Sequence, residues 1–98
     1  MAVYIVMTKL ETLDAEALEA YATASQAAPS EGLRPLIVYG AQEVLEGGPH
    51  EGIVVLEFPS REAALAWYES PEYVSARAYR QRGAHYQVTL VDGYSFAR

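Results

Sequence analysis

The chain has 98 residues, no cysteine and a formal net charge of −6 at pH 7. This length predicts a single domain, residues 1–98. The lack of cysteine excludes disulfides and thiolate metal sites and favours a reducing cytoplasm. The acidic balance argues against nucleic acid as a partner, because proteins that bind phosphate backbones need a basic face. No segment reaches membrane-spanning length, and the apolar opening is too short for a signal-peptide core, so we expect no membrane partner.

The first half of the chain predicts a strand, a helix and a second strand. Residues 2–9 carry β-branched and aromatic side chains in succession, which is typical of a strand. Thr12 or Asp14 can cap the following helix, because a short side-chain oxygen accepts hydrogen bonds from the free amides of the first turn. Residues 35–45 form the next predicted strand, and Gly40 within it indicates a bulge or a close approach of backbone.

The second half of the chain predicts a loop, a strand, two helices and a last strand, at residues 46–52, 53–58, 61–68, 71–82 and 86–91. Ser60 and Ser70 are the predicted N-caps of the two helices, and Gly83 is the predicted C-terminal cap. Pro71 occupies a first helical position, where its missing amide hydrogen costs nothing.

This order of elements, βαββαβ with a helix pair in the second crossover, predicts an α+β fold of the ferredoxin-like type with an antiparallel sheet. In the first strand, Val3, Ile5 and Met7 point to one face while Tyr4 and Val6 point to the other. Both faces are therefore apolar, whereas one layer of helices covers only one of them. Because a soluble monomer rarely exposes such a patch, we predict a homodimer with facing sheets. The alternative is a monomer whose own tail or loops cover the open face.

Several short motifs of this sequence resemble those of a known family. They are Glu57-Phe58-Pro59-Ser60, Trp67-Tyr68, Ser70-Pro71-Glu72-Tyr73, Arg80 and Val91-Asp92-Gly93. The family is DUF1330, a family of domains of unknown function. Gln42 and Glu46 stand where the family tends to carry basic residues, so an anion site built on those groups does not carry over. The resemblance implies a dimeric α+β barrel. Similar barrels include cofactor-free monooxygenases, lactone isomerases, a few haem proteins and proteins without known catalysis, so the fold alone does not define the function.

Positive charge is concentrated in the last predicted helix, at Arg77, Arg80 and Arg82. Arg77 and Arg80 are three positions apart, so both lie on one helical face with Tyr73. A guanidinium there can hold a carboxylate or phosphate of a small substrate. Alternatively, arginines near a helix C-terminus bind its last carbonyls and pair with surface acids. Arg80 belongs to the family motif, so we predict it as the main substrate-binding residue, with Arg77 beside it.

Glu57 and His85 are the candidate proton carriers. Glu57 ends an apolar strand, where burial can turn a carboxylate into a general base. The alternatives are a solvated strand end or a structural ion pair with Arg80. His85 precedes the last strand, close to the arginines, and imidazole exchanges protons near neutral pH. His50 lies in the glycine-rich loop and ranks below it, and a surface role is the alternative for both. Neither histidine has a second ligand at metal-binding spacing, so we predict no metal and no cofactor.

Tyr39 and Tyr68 are candidate walls of a substrate pocket between sheet and helices, because tyrosine combines an apolar body with a polar tip. Trp67 and Tyr73 are predicted to pack in the core or in the dimer. The sequence contains no nucleophile elbow, phosphate-binding glycine loop or dinucleotide fingerprint. We therefore expect a dimeric barrel that binds a small aromatic or anionic molecule, as a cofactor-independent isomerase or monooxygenase. The alternative is a non-catalytic ligand-binding, stress-related or structural dimer.

Overall fold

The structure, a computed structural model, describes residues 2–94, so the predicted domain boundaries of 1–98 extend beyond it at both ends. Its elements in chain order are β1 (Val3–Thr12), α1 (Ala15–Ala24), a short 3₁₀ helix (Ser25–Ala27), β2 (Arg34–Val38), β3 (Gly52–Phe58), α2 (Arg61–Tyr68), α3 (Pro71–Gly83) and β4 (Ala84–Asp92). The strands form one antiparallel sheet in the order β2-β3-β1-β4. This topology confirms the predicted ferredoxin-like α+β fold.

Side-chain caps begin all three α-helices. Asp14 caps α1 by accepting hydrogen bonds from two first-turn amides, at 3.0 and 3.3 Å, whereas Thr12 binds the carboxylate of Glu51 instead. Ser60 and Ser70 each accept one first-turn amide, at 3.1 and 3.2 Å, and so begin α2 and α3 as predicted. These local hydrogen bonds satisfy backbone donors that have no partner within a helix, which is why the helix starts were readable from sequence.

The second strand is shorter than the predicted 35–45. β2 ends at Val38 because Tyr39 adopts a left-handed backbone with φ of 52°, which turns the chain out of the extended conformation. The irregularity also lies at a different residue from the one predicted. The register against β3 shifts at Leu36, which is the extra residue of a bulge, and not at Gly40.

The first and last strands are longer than the predicted 2–9 and 86–91. β1 continues to Thr12 and β4 already begins at Ala84, because these two ends pair with each other beyond a shift in register at Leu10. The extra residue breaks the alternation of side chains along β1, so the strand's extension could not be recognised from its pattern.

Gly83 does not act as the predicted C-terminal cap. It is the last residue of α3, and its φ is not positive. A Cβ atom here would lie 2.7 Å from the Leu18 Cδ2 atom and 3.1 Å from the Leu18 backbone nitrogen. The Gly83 carbonyl also accepts hydrogen bonds from the amides of Leu13 and Asp14, at 2.7 and 3.0 Å. The glycine is therefore needed for the close approach of α1 and α3.

The core lies between the sheet and the helices. Phe58, Trp67 and Tyr73 are its large aromatic side chains, and the ring centroids of Trp67 and Tyr73 are 4.0 Å apart. Both residues are buried, as predicted for packing residues. The sheet contributes the side chains that alternate toward the helices, which are Val3, Ile5, Met7, Val54 and Leu56.

The opposite face of the sheet carries a row of apolar side chains that no helix of residues 2–94 covers. Val6 lies opposite Val55 in the register of β1 and β3, and Ile37 extends the row onto β2. Ile37 and Val91 are each 45 % exposed. The strands are thus apolar on both faces, as their alternation predicted, and the helices of residues 2–94 leave one face open. Within the described residues, no helix is both long and apolar enough to span a bilayer.

Candidate functional site

Arg80 is a buried cation on α3, and it faces the beginning of β4. The buried face of α3 is formed by Tyr73, Ala76 and Arg80, which recur at helical spacing and point toward the sheet. Arg80 is only 4 % exposed. Its guanidinium carbon lies 5.2 Å from the centroid of the Tyr86 ring on β4, which places the charge over an aromatic face.

No carboxylate among residues 2–94 compensates the charge of Arg80. The ion pairs within 4.0 Å in the described part of the chain use other cations, which are Lys9, Arg34, Arg61, Arg77 and His85. The Nε atom of Arg80 is buried and has no hydrogen-bond partner there. The guanidinium contacts the Tyr73 hydroxyl and the Tyr86 ring, which are both neutral, so its charge has no counter-charge in the described residues. A buried charge without a counter-charge is costly, so the surroundings of Arg80 favour an anion.

Four tyrosines near Arg80 form two hydroxyl pairs. The hydroxyl oxygens of Tyr21 and Tyr73 are 2.7 Å apart, and the hydroxyls of Tyr39 and Tyr86 also contact each other. Burial raises the pKa of Tyr21, Tyr73 and Tyr86, and the positive charge of Arg80 offsets only part of this effect. These hydroxyls therefore stay protonated near neutral pH, where they can donate hydrogen bonds to an anion but cannot serve as bases.

A cavity of 340 Å³ opens beside Arg80, and we call it the arginine cavity. Its walls include Tyr68 from α2, Tyr86 and Val88 from β4, and His85 at the junction of α3 and β4. The volume is in the range of sites that bind small molecules. The structure therefore brings together three residues that the sequence singled out, Arg80, His85 and Tyr68.

Arg77 lies behind one wall of the arginine cavity. Its guanidinium carbon is 4.3 Å from the centroid of the Tyr68 ring, and its Nη2 atom is 3.3 Å from a carboxylate oxygen of Glu69. This is the surface pairing that the sequence left open as an alternative. Arg77 holds the Tyr68 ring in place, and its contact with a substrate stays a prediction.

His85 lies at the mouth of the arginine cavity and is exposed. Its Nε2 atom is 3.8 Å from a carboxylate oxygen of Glu11, which can hold the protonated imidazole. His50 contributes only its backbone carbonyl, which accepts a hydrogen bond from Gln42 at 2.9 Å. The role of His85 as a proton carrier stays a prediction.

Glu57 is not part of the arginine cavity. It lies on the helix-free face of the sheet, where its carboxylate accepts a hydrogen bond from the Tyr4 hydroxyl at 3.3 Å. The same carboxylate is 3.7 Å from Nη1 of Arg34. Glu57 thus forms the structural ion pair that was the alternative interpretation, but with Arg34 and not with Arg80. Its role as a general base stays a prediction, and the fold does not bring it to Arg80.

Tyr39 reaches the site from the far edge of the sheet. Its ring lies across Gly52 on β3, and the ammonium of Lys9 on β1 is 5.0 Å from the ring centroid. Its hydroxyl then meets that of Tyr86 on β4. Sequence reasoning selected Tyr39 but assigned neither Tyr21 nor Tyr86 to the site. The signal that was available is the unusual number of tyrosines, eight in the whole chain.

The part of the chain that the structure describes contains no group of three or more histidine, aspartate or glutamate side chains that could hold a metal ion. The polar groups around the arginine cavity are instead cationic or neutral, which suits an organic anion better than a cation.

Comparison with known proteins gives a family and a fold. A family model described as domain of unknown function (DUF1330) matches residues 2–94, and no curated protein sequence matches the chain. A protein of unknown function from Rhodopseudomonas palustris has a TM-score of 0.74 at 19 % identity, over 96 % of this chain and 83 % of that chain. A dimeric ferredoxin-like protein of unknown function from Thermobifida fusca has a TM-score of 0.66 at 18 % identity, over 94 % and 91 %. SnoaB, a cofactor-independent oxygenase from Streptomyces nogalater, has a TM-score of 0.57 at 8 % identity, over 96 % and 93 %. At these identities the shared property is the fold.

Proposed function

Because the chain belongs to the DUF1330 family, whose description includes no activity, we propose its function from the geometry of the site. The protein is a homodimer that binds a small organic anion in the arginine cavity of each protomer. The observation that carries this proposal is the guanidinium of Arg80, which is 4 % exposed and has no carboxylate partner among the described residues.

The anion is held mainly by hydrogen bonds from a charged group, the guanidinium of Arg80. A carboxylate or phosphate beside Arg80 accepts from the fork of the guanidinium, including the Nε–H that has no partner among residues 2–94. Tyr86 lines the same cavity and supplies a neutral hydroxyl. Tyr68, fixed by Arg77, supplies a flat wall on which an aromatic or unsaturated body can lie. Hydrogen bonds to an ionised group of this kind are stronger than hydrogen bonds between neutral groups.

Cofactor-independent isomerisation is the chemistry that this arrangement supports best, if the bound anion reacts. His85 would take a proton from a carbon next to a carbonyl group, and Arg80 would stabilise the oxygen of the enolate that forms. Return of the proton to a different carbon completes the reaction without an oxidant. An oxygenase reaction on the same enolate would need dioxygen as well, and SnoaB, which has a similar fold, is described as a cofactor-independent oxygenase.

Binding without catalysis is the second candidate, and one observation favours it. His85 is exposed and lies near Glu11, so nothing in the cavity orients its imidazole toward a ligand. A ligand-binding or stress-related dimer would need only Arg80 and the walls of the cavity. Its site would bind the anion and release it unchanged.

The helix-free face of the sheet is the reason for proposing a homodimer. That face carries the apolar row formed by Val6, Val55 and Ile37, and a second copy packed on it would remove the row from water. The similar protein from Thermobifida fusca is described as dimeric. We place the dimer in the cytoplasm because its sequence uses no cysteine.

The proposal is tested by Arg80→Met, which removes the charge and keeps an unbranched side chain of similar length. Binding of benzoate, measured by titration calorimetry, should weaken by about 10-fold to 100-fold, the usual effect of losing a hydrogen bond to a charged group. Arg82→Met is the matched control, because Arg82 is an exposed arginine of the same helix that lies over the ring of Tyr79. Equal benzoate affinity in the two variants would contradict the anchoring role of Arg80.

A further inference from the structure

A second and larger cavity lies under α1, and we call it the apolar cleft. It has a volume of 550 Å³ and is bordered by α1, the chain after the 3₁₀ helix, and strands β2 and β3. Met7, Leu33, Val54 and Leu56 contribute to its walls, and none of its lining residues in the described part of the chain is charged. A lining of this kind binds an apolar body well and gives an ionic group no partner.

The two tyrosine pairs connect the apolar cleft with the surroundings of Arg80. Tyr21 and Tyr39 line the cleft, and their hydroxyls contact Tyr73 and Tyr86, respectively. Tyr86 in turn lines the arginine cavity and lies under the guanidinium of Arg80. The contact between Tyr39 and Tyr86 therefore separates the apolar cleft from a buried positive charge that has no carboxylate partner among residues 2–94.

Tyr39, unlike Tyr86, lies outside the strands of the sheet. It follows the last residue of β2, is 43 % exposed, and has a left-handed backbone that costs free energy for a residue other than glycine. Its ring is held by the hydroxyl contact with Tyr86 and by its position against Gly52 and Lys9. Rotation of the side chain would break the contact with Tyr86 while leaving the ladder between β2 and β3 intact.

We propose that Tyr39 is a movable partition and that the ligand is an amphipathic monoanion, with its charged group at Arg80 and its apolar body in the apolar cleft. This inference rests on the proposed function, because Arg80 is the anchor in both. It narrows the ligand class to anions with an extended apolar part. A compact ion such as inorganic phosphate would leave the cleft unused.

The test varies the length and the charge of the ligand. The full chain is titrated by calorimetry with two linear carboxylates, butyrate and octanoate, and with neutral octanol. Burying one methylene group is worth about 0.8 kcal/mol, or about fourfold in affinity. We expect octanoate to bind at least about tenfold more tightly than butyrate, since its four further methylenes enter the cleft at least in part. Octanol, which has no charge for Arg80, should bind more weakly than octanoate.

Two variants test whether the apolar part of the ligand lies in the apolar cleft. Ala22→Trp places an indole in the apolar cleft from an exposed position of α1, so it should abolish the advantage of octanoate and leave butyrate binding unchanged. Thr23→Trp, at the neighbouring exposed position that does not line the cleft, is the control. Tyr39→Phe removes the hydroxyl contact with Tyr86 and should increase the association rate of octanoate, but not that of butyrate.

The outcomes separate this inference from the function it rests on. If butyrate binds through Arg80 but affinity does not rise with chain length, the amphipathic ligand is wrong and the anion site stands. If neither carboxylate binds, both proposals are wrong. If Ala22→Trp instead dissociates the dimer in sedimentation, the cleft is covered by a second copy of the chain, which also overturns the inference.

Discussion

The ring of Tyr39 occupies the space that a side chain would fill at Gly52. A Cβ atom at Gly52 would lie 2.5 Å from the Cδ1 atom of that ring, closer than real atoms approach. The absence of a side chain on β3 thus allows a tyrosine from beyond β2 to extend across the sheet and meet Tyr86 on β4. The glycine and the tyrosine, thirteen positions apart in the sequence, act as one structural unit.

Gly52→Ala is expected to displace Tyr39 and to lower the free energy of unfolding by about 1–3 kcal/mol, the usual cost of overpacking. Urea denaturation measures this change. Gly40→Ala is the matched control, because a Cβ atom there meets nothing within 4 Å. The double variant Gly52→Ala/Tyr39→Ala should be less destabilised than the sum of its single changes. Strict additivity, or equal losses at Gly52 and Gly40, would show that the two residues are not coupled.

Arg80→Met is expected to raise the free energy of unfolding while it removes anion binding. The buried guanidinium has no carboxylate partner in the described residues, so an apolar side chain of similar length should stabilise the protomer, by about 1 kcal/mol or more. Thermal unfolding without ligand measures this effect, with the exposed Arg82→Met changing stability by less than about 0.5 kcal/mol. A large loss of stability in Arg80→Met would mean that the guanidinium serves the fold and not a ligand.

Alkaline pH is expected to destabilise the protein through its buried tyrosines. Burial raises the pKa of Tyr21, Tyr73 and Tyr86 above their ordinary value. The neutral hydroxyls therefore contribute stability that is fully present below about pH 10, where unfolded tyrosines are also neutral, and is lost as the pH rises further. Urea denaturation between about pH 8 and pH 12 follows this loss.

Tyr86→Phe should reduce the fall in stability on the alkaline side, because one raised pKa is removed. Tyr79→Phe is the comparison, since the Tyr79 ring lies under Arg82 near the end of α3 and outside the two hydroxyl pairs. Identical pH profiles for the wild-type protein and Tyr86→Phe would contradict the assignment.

Val55→Asp is expected to convert the proposed homodimer into monomers. Val55 lies in the apolar row of the helix-free face, and a carboxylate there would be buried against a second sheet beside Glu57. Sedimentation velocity at micromolar concentration measures the change. Val74→Asp, at an exposed position of α3, is the control and should leave the oligomeric state unchanged. A wild-type protein that sediments as a monomer, or a Val55→Asp dimer, would exclude the facing-sheet arrangement.

Local chemistry explains how much of the fold could be predicted. The caps at Asp14, Ser60 and Ser70 bind amides within three positions of themselves, so their effect is visible in a short stretch of sequence. The predictions failed where the packing or conformation of a residue depends on another residue that is far away in the sequence. Gly83 is required by Leu18 on α1. The end of β2 coincides with Tyr39, whose ring packs against Gly52 on β3.

The candidate site was predicted only in part for the same reason. Arg80 was found through the family motif and Tyr68 through its side-chain type, and the structure places both at one cavity with His85. Glu57 was chosen because it ends an apolar strand, but sequence alternation could not show which cation would meet it. The register of β3 with β2 and β1 turned it toward Arg34 and Tyr4 on the other face.

The sequence by itself determined the antiparallel α+β sandwich, the starts of its helices and the apolar character of both sheet faces, because spacing and capping act over a few residues. Only the tertiary structure decided that Arg80 is buried without a carboxylate partner among residues 2–94 and that Tyr39 meets Tyr86 across the sheet. These relationships depend on strand register and helix packing, which bring together side chains that have no common signal along the chain.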